Sequence, residues 1–468
     1  MKRILFLIFL IVCQQSFAQE KQLIETPKVD KRVELLSIVF RLAGNQEYHA
    51  TFFKKYTDKV DDHFNAFKEH ELIKFAKELN EKGISYDAVV SMAVILDDHL
   101  NPLIDFSTTL PEKRWTKEDA TKFVRLLKKF YKDAACEAFF RENEALFQEV
   151  SNRFSPVYKT LDLNWFQSFY GIKADENFNI IISPGCGGQN YGPSYSLPNA
   201  KKEVFAIMGT WQVDESGMPV YEKDDYLPLI VHEFNHSYVN SLLAKQEASF
   251  EESGKKIYKA EEYEMSRQQA YGNWQIMLDE ALVRASVIKY FMDHGSSELE
   301  TGKMMVKEFI NGFIWIKELV DELKNYDHQR NLYPTLESYM PVLSTAYKSF
   351  ADKISQIDAQ RPKVESITEF ANNDTCVSPQ LKTVTINFDR PLAGKGYSVY
   401  YGNKGKLAFP KPDTIYYANN NKSFVMEVQL MPDFEYQFVL TGKYFKTEQG
   451  AGLKTYEVNF KTAKIPNR

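Results

Sequence analysis

At Pro362 the hydrophobic period of this chain changes, and no single kind of secondary structure can serve both sides of that residue. Before it, apolar residues recur at three- and four-residue steps, as in Val33, Leu36 and Phe40, or Leu72, Phe75 and Leu79. After it they alternate, or run in short blocks, over 383–388, 424–428, 436–440 and 456–460, with Gly and Asn clusters between. The expected architecture is a mainly helical body followed by about a hundred residues of short strands, a small β-sandwich. A chain of 468 residues also exceeds one ordinary core.

Within the body, helical spacing covers 30–158, punctuated by Pro102 and Pro111. It breaks near Asn177, where 178–183 and 204–208 read as buried strands. Between them Pro184, Gly185, Cys186, Gly187, Gly188, Gln189, Asn190, Tyr191 and Gly192 form a glycine-rich run. No Gly-Lys-Ser/Thr follows, so it is not a phosphate loop; it reads as a plain strand connection or as the rim of a site. Helical patterns return over 226–245, 261–293, 302–323 and 335–357. The fold class expected is α+β, with an N-terminal helical region at 19–165, a domain with a small sheet at 166–361 and the sandwich at 363–468. The N-terminal helices are either a subdomain or a propeptide.

Residues 1–18 read as an export signal: Lys2 and Arg3, an apolar run over 4–12, then small residues at Ser16 and Ala18. That run is too short to span a bilayer, and no later stretch is a transmembrane segment. The protein is expected in the periplasm, on the outer surface or outside the cell, with room for cell-surface association. Cys13 follows Val12 rather than a small residue, which disfavours a lipid anchor there. Cys136, Cys186 and Cys376 are distant in sequence and odd in number, which argues against a disulfide framework and a thiolate zinc site; Cys136 fits a small core residue. The formal charge of −5 and the lack of a basic stripe exclude a nucleic-acid footprint.

The chemistry concentrates in His232-Glu233-Phe234-Asn235-His236. Four helical steps of about 100° return His236 to the face of His232, so both imidazoles can meet one Zn2+ ion at about 2.0–2.1 Å. Glu233, one step round, can reach a metal-bound water and act as general base. Tyr238 lies about 200° round from His236 and reads as core. A third ligand must come from elsewhere. Glu280 is the best candidate, on a face with Ile276, Met277, Val283, Val287 and Phe291, because a carboxylate on an apolar stripe must be paired or metal-bound. Asp279 is the runner-up, Arg284 is one turn on and could hold Glu280, and His294 is about 21 Å further along a continuous helix, too far to share the ion. Tyr271 and Tyr263 are candidate transition-state donors.

The stretch Val231 to Asn240, followed by Asp279-Glu280-Ala281-Leu282-Val283-Arg284-Ala285, resembles the gluzincin metallopeptidases. It resembles more closely a group of secreted bacterial proteins with a domain of unknown function, in which a glycine-rich segment like Gly187 to Gly192 precedes the zinc helix. The resemblance implies a zincin-like fold, zinc ligands His232, His236 and Glu280, base Glu233, and hydrolysis of a protein or peptide substrate. Thermolysin-like enzymes carry an acidic residue where Arg284 stands, so the surroundings of the ligand must differ. The tail around Asn387-Phe388-Asp389-Arg390-Pro391-Leu392 looks like bacterial Ig-like domains. The strand at 204–208 is, by analogy, a place for an extended substrate to pair. The rival expectation is a non-catalytic surface-binding protein with a relic zinc site.

Overall fold

The computed structural model describes residues 24–173, 176–262, 264–268 and 271–464. The export signal and Cys13 fall outside them. By contacts the chain forms two compact units, 1–237 and 238–468, and the division falls inside one continuous helix.

In the first unit a short strand, β1 (Lys28–Val29), precedes helix α1 (Lys31–Ala43). Asp30 caps α1, its carboxylate accepting the Arg32 amide at 2.8 Å, and Gly44, at φ 100°, ends it. From Val33 to Ala43 every residue of α1 is buried, so this is a central helix rather than an amphipathic one. Around it come α2 (Lys54–Phe64), α3 (Glu71–Glu81), α4 (Asp87–Val94), α5 (Lys117–Asp133), α6 (Cys136–Glu142), α7 (Glu144–Tyr158) and α8 (Leu163–Tyr170). The sheet adds β2 (Glu176–Ser183), β3 (Asn190–Tyr191), β4 (Ser194–Tyr195) and β5 (Lys202–Gly209), in the order β1-β2-β5-β3 with β4 also on β5. Strands β1, β2 and β5 are parallel; β3 and β4 run antiparallel to β5. Because Lys28 and Val29 pair with Ile181 and Ile182, the start of the N-terminal helical region and the later sheet belong to one structure.

Helix α9 (Lys223–Lys245) carries Asp224 and Asp225 in its first turn, where the helix dipole favours acids. The second unit continues with α10 (Glu247–Ala260), a π-turn at Glu264–Gln268, α11 (Trp274–Asp293), α12 (Glu298–Ile310), α13 (Ile316–His328) and α14 (Leu336–Gln360). The pattern expected as one helix over 261–293 is interrupted: Asn273 starts α11 afresh, its side chain accepting the Ile276 amide at 2.9 Å. Gly312, at φ 97°, likewise separates α12 from α13 within the stretch expected at 302–323.

After Pro362 the change to strands is as the pattern demands. Strands β6 (Val364–Ile367), β7 (Thr383–Phe388), β8 (Val399–Tyr400), β9 (Pro412–Ala418), β10 (Ser423–Val428), β11 (Glu435–Leu440) and β12 (Tyr456–Lys461) form two sheets, β6-β7-β10-β9 and β12-β11-β8. All their pairings are antiparallel. Alternate residues of both sheets, among them Val384, Ile386, Phe424, Met426, Phe438 and Phe460, share one core. The chain is therefore a mixed α+β protein.

Candidate metal centre

On α9 the side chains of His232 and His236 converge. Their Nε2 atoms are 3.2 Å apart and their rings stand at 81° to one another. Two nitrogens bound at about 2.05 Å to a tetrahedral ion lie about 3.3 Å apart, so this pair already has the spacing such an ion needs. The opposite side of the helix holds the pair in place. Phe234 packs on Phe178 and Phe166, with centroids 4.5 and 6.3 Å away. Asn235, fully buried, accepts the Tyr170 hydroxyl at 2.6 Å and donates to the Val231 carbonyl at 2.8 Å. Tyr238 is buried, as expected of a core residue.

The third member is Glu280. Atoms of His232, His236 and Glu280 that could each ligate a metal lie within 4.8 Å of one another, and this is the group of that kind found among the described residues. Asp279 is not in it. It faces the neighbourhood of Tyr347, where burial pushes the phenol up and the Asp279 charge adds to the rise. His294 is also absent from the group; its ring stacks on Tyr290 and its Nδ1 lies 2.7 Å from that residue's carbonyl. The apolar stripe proposed for α11 holds at Met277, Val283 and Val287, whereas Ile276 is exposed.

Around Glu280 the structure places the Arg284 that spacing offered and adds partners that spacing did not. The Tyr271 hydroxyl donates to Glu280 Oε2 at 2.9 Å. Arg284 donates to the Tyr271 oxygen at 2.8 Å, stands 3.4 Å from Glu280 Oε2 and donates to Glu308 at 2.7 Å, with its guanidinium over the Phe313 ring. Arg284 and Glu280 are 17% and 14% exposed, so they are not a surface pair. Burial raises the Tyr271 phenol and the Glu280 charge raises it further, which keeps the proton on Tyr271 and the hydrogen bond directed at Glu280. The Tyr271 hydroxyl, a candidate donor from the sequence, is thus a hydrogen-bond partner of the Glu280 carboxylate. Tyr263 lies outside the described residues.

The glycine-rich run borders this centre. At Gly192 an added Cβ would fall 2.0 Å from Glu233 Oε2, so the backbone there lies directly against the carboxylate. The strand expected to receive an extended ligand, 204–208, does not have a free edge. β5 is flanked by β2 on one side and by β3 and β4 on the other. Summed residue numbers across the pairs Asn190↔Met208 and Tyr195↔Glu203 agree, so β3 and β4 are one edge strand in a single register, interrupted at Gly192 and Pro193. The Phe205 amide bonds the Pro193 carbonyl at 3.0 Å. By alternation, the backbone groups of Gly192 and Ser194 turn away from β5.

The sequence profile of a family described as a domain of unknown function, DUF4932, matches residues 26–345. No curated protein matches the sequence. Among solved structures, the chain is similar to surface layer protein SbsC, domains 1–6, at 13% identity and a TM-score of 0.18, over 84% of this chain and 45% of that one. A structure of the N-terminal part of the S-layer protein SbsC matches at 12% identity and a TM-score of 0.17, over 84% and 78%. The chain spans less than half the length of the first of these, and at such TM-scores the likeness carries no argument. No helix of the described residues is long and apolar enough to cross a membrane.

Proposed function

The chain belongs to the DUF4932 family, and from its own side chains we propose that it is an exported zinc-dependent hydrolase of gluzincin type, cleaving peptide bonds. The observation that carries this reading is that ligand-type atoms of His232, His236 and Glu280 lie within 4.8 Å of one another, with Glu233 one helical step from His232. Two imidazoles and a carboxylate are a donor set of catalytic zinc sites, which leave a fourth position for water. A zinc ion held by His232, His236 and Glu280 would supply Lewis-acid polarisation of the substrate carbonyl and lower the pKa of the attacking water. Glu233 takes the proton from the attacking water and delivers it to the leaving amine. Tyr271 and Arg284 orient Glu280. The substrate backbone adds as a further strand beside the edge at 190–195, where the outward groups of Gly192 and Ser194 can pair with it.

The C-terminal sheets support an Ig-like reading of the tail. With β6 to β12 taken in order as seven strands, the sheets β6-β7-β10-β9 and β12-β11-β8 have the ABED and GFC arrangement of a constant-type Ig sandwich. Tyr436, near the start of the sixth strand, accepts the Met431 amide at 2.8 Å on its hydroxyl, as a tyrosine corner does.

Metal analysis of the purified protein, together with a broad peptide library, tests the proposal. About one zinc per chain and zinc-dependent cleavage that Glu233→Gln removes are expected. A folded protein that neither carries nor takes up zinc refutes the proposal; zinc without cleavage of any peptide favours the rival surface-binding reading.

A further inference from the structure

Helix α1 contributes nothing to the proposed chemistry, yet it buries a carboxylate at its centre. Glu34 has no exposed surface. Its Oε1 accepts the Ser183 hydroxyl at 2.6 Å and its Oε2 accepts the Gly185 amide at 3.0 Å. These donors lie 149 and 151 residues further along the chain, at the end of β2. The approach is close: a Cβ on Gly185 would fall 2.1 Å from Ser37 Oγ and 2.9 Å from Glu34 Oε2. A carboxylate in such a place is costly to bury, so it persists for what it holds.

What it holds is the start of the glycine-rich run, and the rest of the run is fixed in turn. The Gln189 amide bonds the Cys186 carbonyl at 3.1 Å. A Cβ on Gly209 of β5 would fall 2.3 and 2.4 Å from the carbonyl oxygens of Gly187 and Gln189, and the Gly209 amide donates to Asn190 Oδ1 at 3.1 Å. Asn190 and Tyr191 then pair with Met208 and Ile207. The next residue is Gly192, where a Cβ would lie 2.0 Å from Glu233 Oε2 and 3.1 Å from its Cδ. With both ends of the run fixed, the backbone at Gly192 bounds one side of the Glu233 carboxylate.

We propose that Glu34 is a positioning residue for the general base: it clamps Ser183 and Gly185, the clamp sets the course of the glycine-rich run, and Gly192 at the end of that run defines where the Glu233 carboxylate sits. The proposal rests on the reading of Glu233 as the base. It also gives the N-terminal helices a standing role in the site, as its inner support.

Four full-length variants test it. In metal-free protein, amide hydrogen exchange across 183–192 is expected to rise at least tenfold in Glu34→Ala, which leaves two buried donors without their acceptor. Glu34→Gln keeps an acceptor oxygen and is expected to stay within about twofold of wild type. Gly185→Ala, which collides with Ser37, loosens the same segment if Glu34→Ala does not fold. Gly192→Ala should bind zinc as wild type does, while kcat on a cleaved peptide falls about 100-fold, the scale of a displacement of about 1 Å in a reacting group. Wild-type exchange in both Glu34→Ala and Gly185→Ala overturns the clamp. An undiminished kcat in Gly192→Ala overturns its link to Glu233. If the wild type cleaves nothing, the assignment of the base fails, while the exchange comparison still decides the clamp.

Discussion

The buried carboxylate of Glu34 gives the first unit a stability that depends on pH in a definite direction. Burial raises this group from its ordinary 4.5 to about 7, although the hydrogen bonds from Ser183 and Gly185 pull the other way. A carboxyl whose folded pKa lies above its unfolded value favours the folded state when protonated. The contribution is fully present below pH 4.5 and is lost as pH rises through 7. With those two values, the loss between pH 5 and pH 8 is about 2.5 kcal/mol, out of a total of about 3.4 kcal/mol for the whole shift. Glu34→Gln should abolish it while preserving the shape of the site. The assay is urea-dependent hydrogen exchange of the α1 amides at pH 5, 6, 7 and 8, in chelator to exclude metal linkage. Wild type should lose stability relative to Glu34→Gln as pH rises. Parallel curves for the two proteins would refute the reasoning. Glu261, in the second unit, is likewise pushed to about 7 by burial, against the opposing charges of Arg361 and Lys454, so exchange in α10 should keep its pH dependence in Glu34→Gln and serve as an internal control.

Two further outcomes bear on the metal centre. Glu280→Ala should weaken zinc binding strongly and Asp279→Ala much less, because Glu280, not Asp279, lies within 4.8 Å of both histidines; zinc titration of both variants checks the order, and the reverse order would move the ligand by one residue. Tyr271→Phe removes the hydroxyl between Glu280 and Arg284 and should weaken zinc by about 10–100-fold, read by competition with a chelating dye, whereas unchanged affinity would show that the hydroxyl does not orient the ligand.

The parts of this protein that are local in sequence were legible there. The i, i+4 histidines, the alternation after Pro362 and the strands at 178–183 and 204–208 follow from periods of 3.6 and 2. Strands β6, β8 and β9 carry no strong alternation: β9, for example, reads Pro-Asp-Thr-Ile-Tyr-Tyr-Ala and lies at a sheet edge, where one side need not be apolar. Residues 247–260 escaped as a helix because Glu, Ser, Gly and Lys dominate them and their buried stripe is narrow, namely Phe250, Ser253, Gly254, Ile257 and Ala260. The group of His232, His236 and Glu280 was legible in the sequence, and so was Arg284 as a partner for Glu280, whereas the other supports were not. Tyr271, Arg284 and Glu308 meet through the turn before α11 and the packing of α12, and Glu34 meets Ser183 across 149 residues. Gly192 offered a signal, since a glycine beside a proline in a run of turn residues invites the question of what lies too near for a side chain, but only the fold names Glu233 as the answer.

The cysteines give this molecule a set of internal clocks. Among the described residues, Cys376 is exposed on the second unit, whereas Cys136 and Cys186 are buried in the first and are not in disulfides. Burial pushes the Cys136 thiol up to about 12; burial, together with the charge of Glu34, pushes Cys186 up as well, so neither offers a thiolate while its surroundings stay closed. Of these three sulfurs, a thiol reagent added to the native protein therefore meets Cys376 at once and Cys136 and Cys186 only as often as the structure opens. Cys136 times the fraying of α6 from the helical layer, and Cys186, beside Gly187, times the release of the glycine-rich run itself. The interval between those two labelling events measures whether the inner support of the site breathes separately from the helices around it.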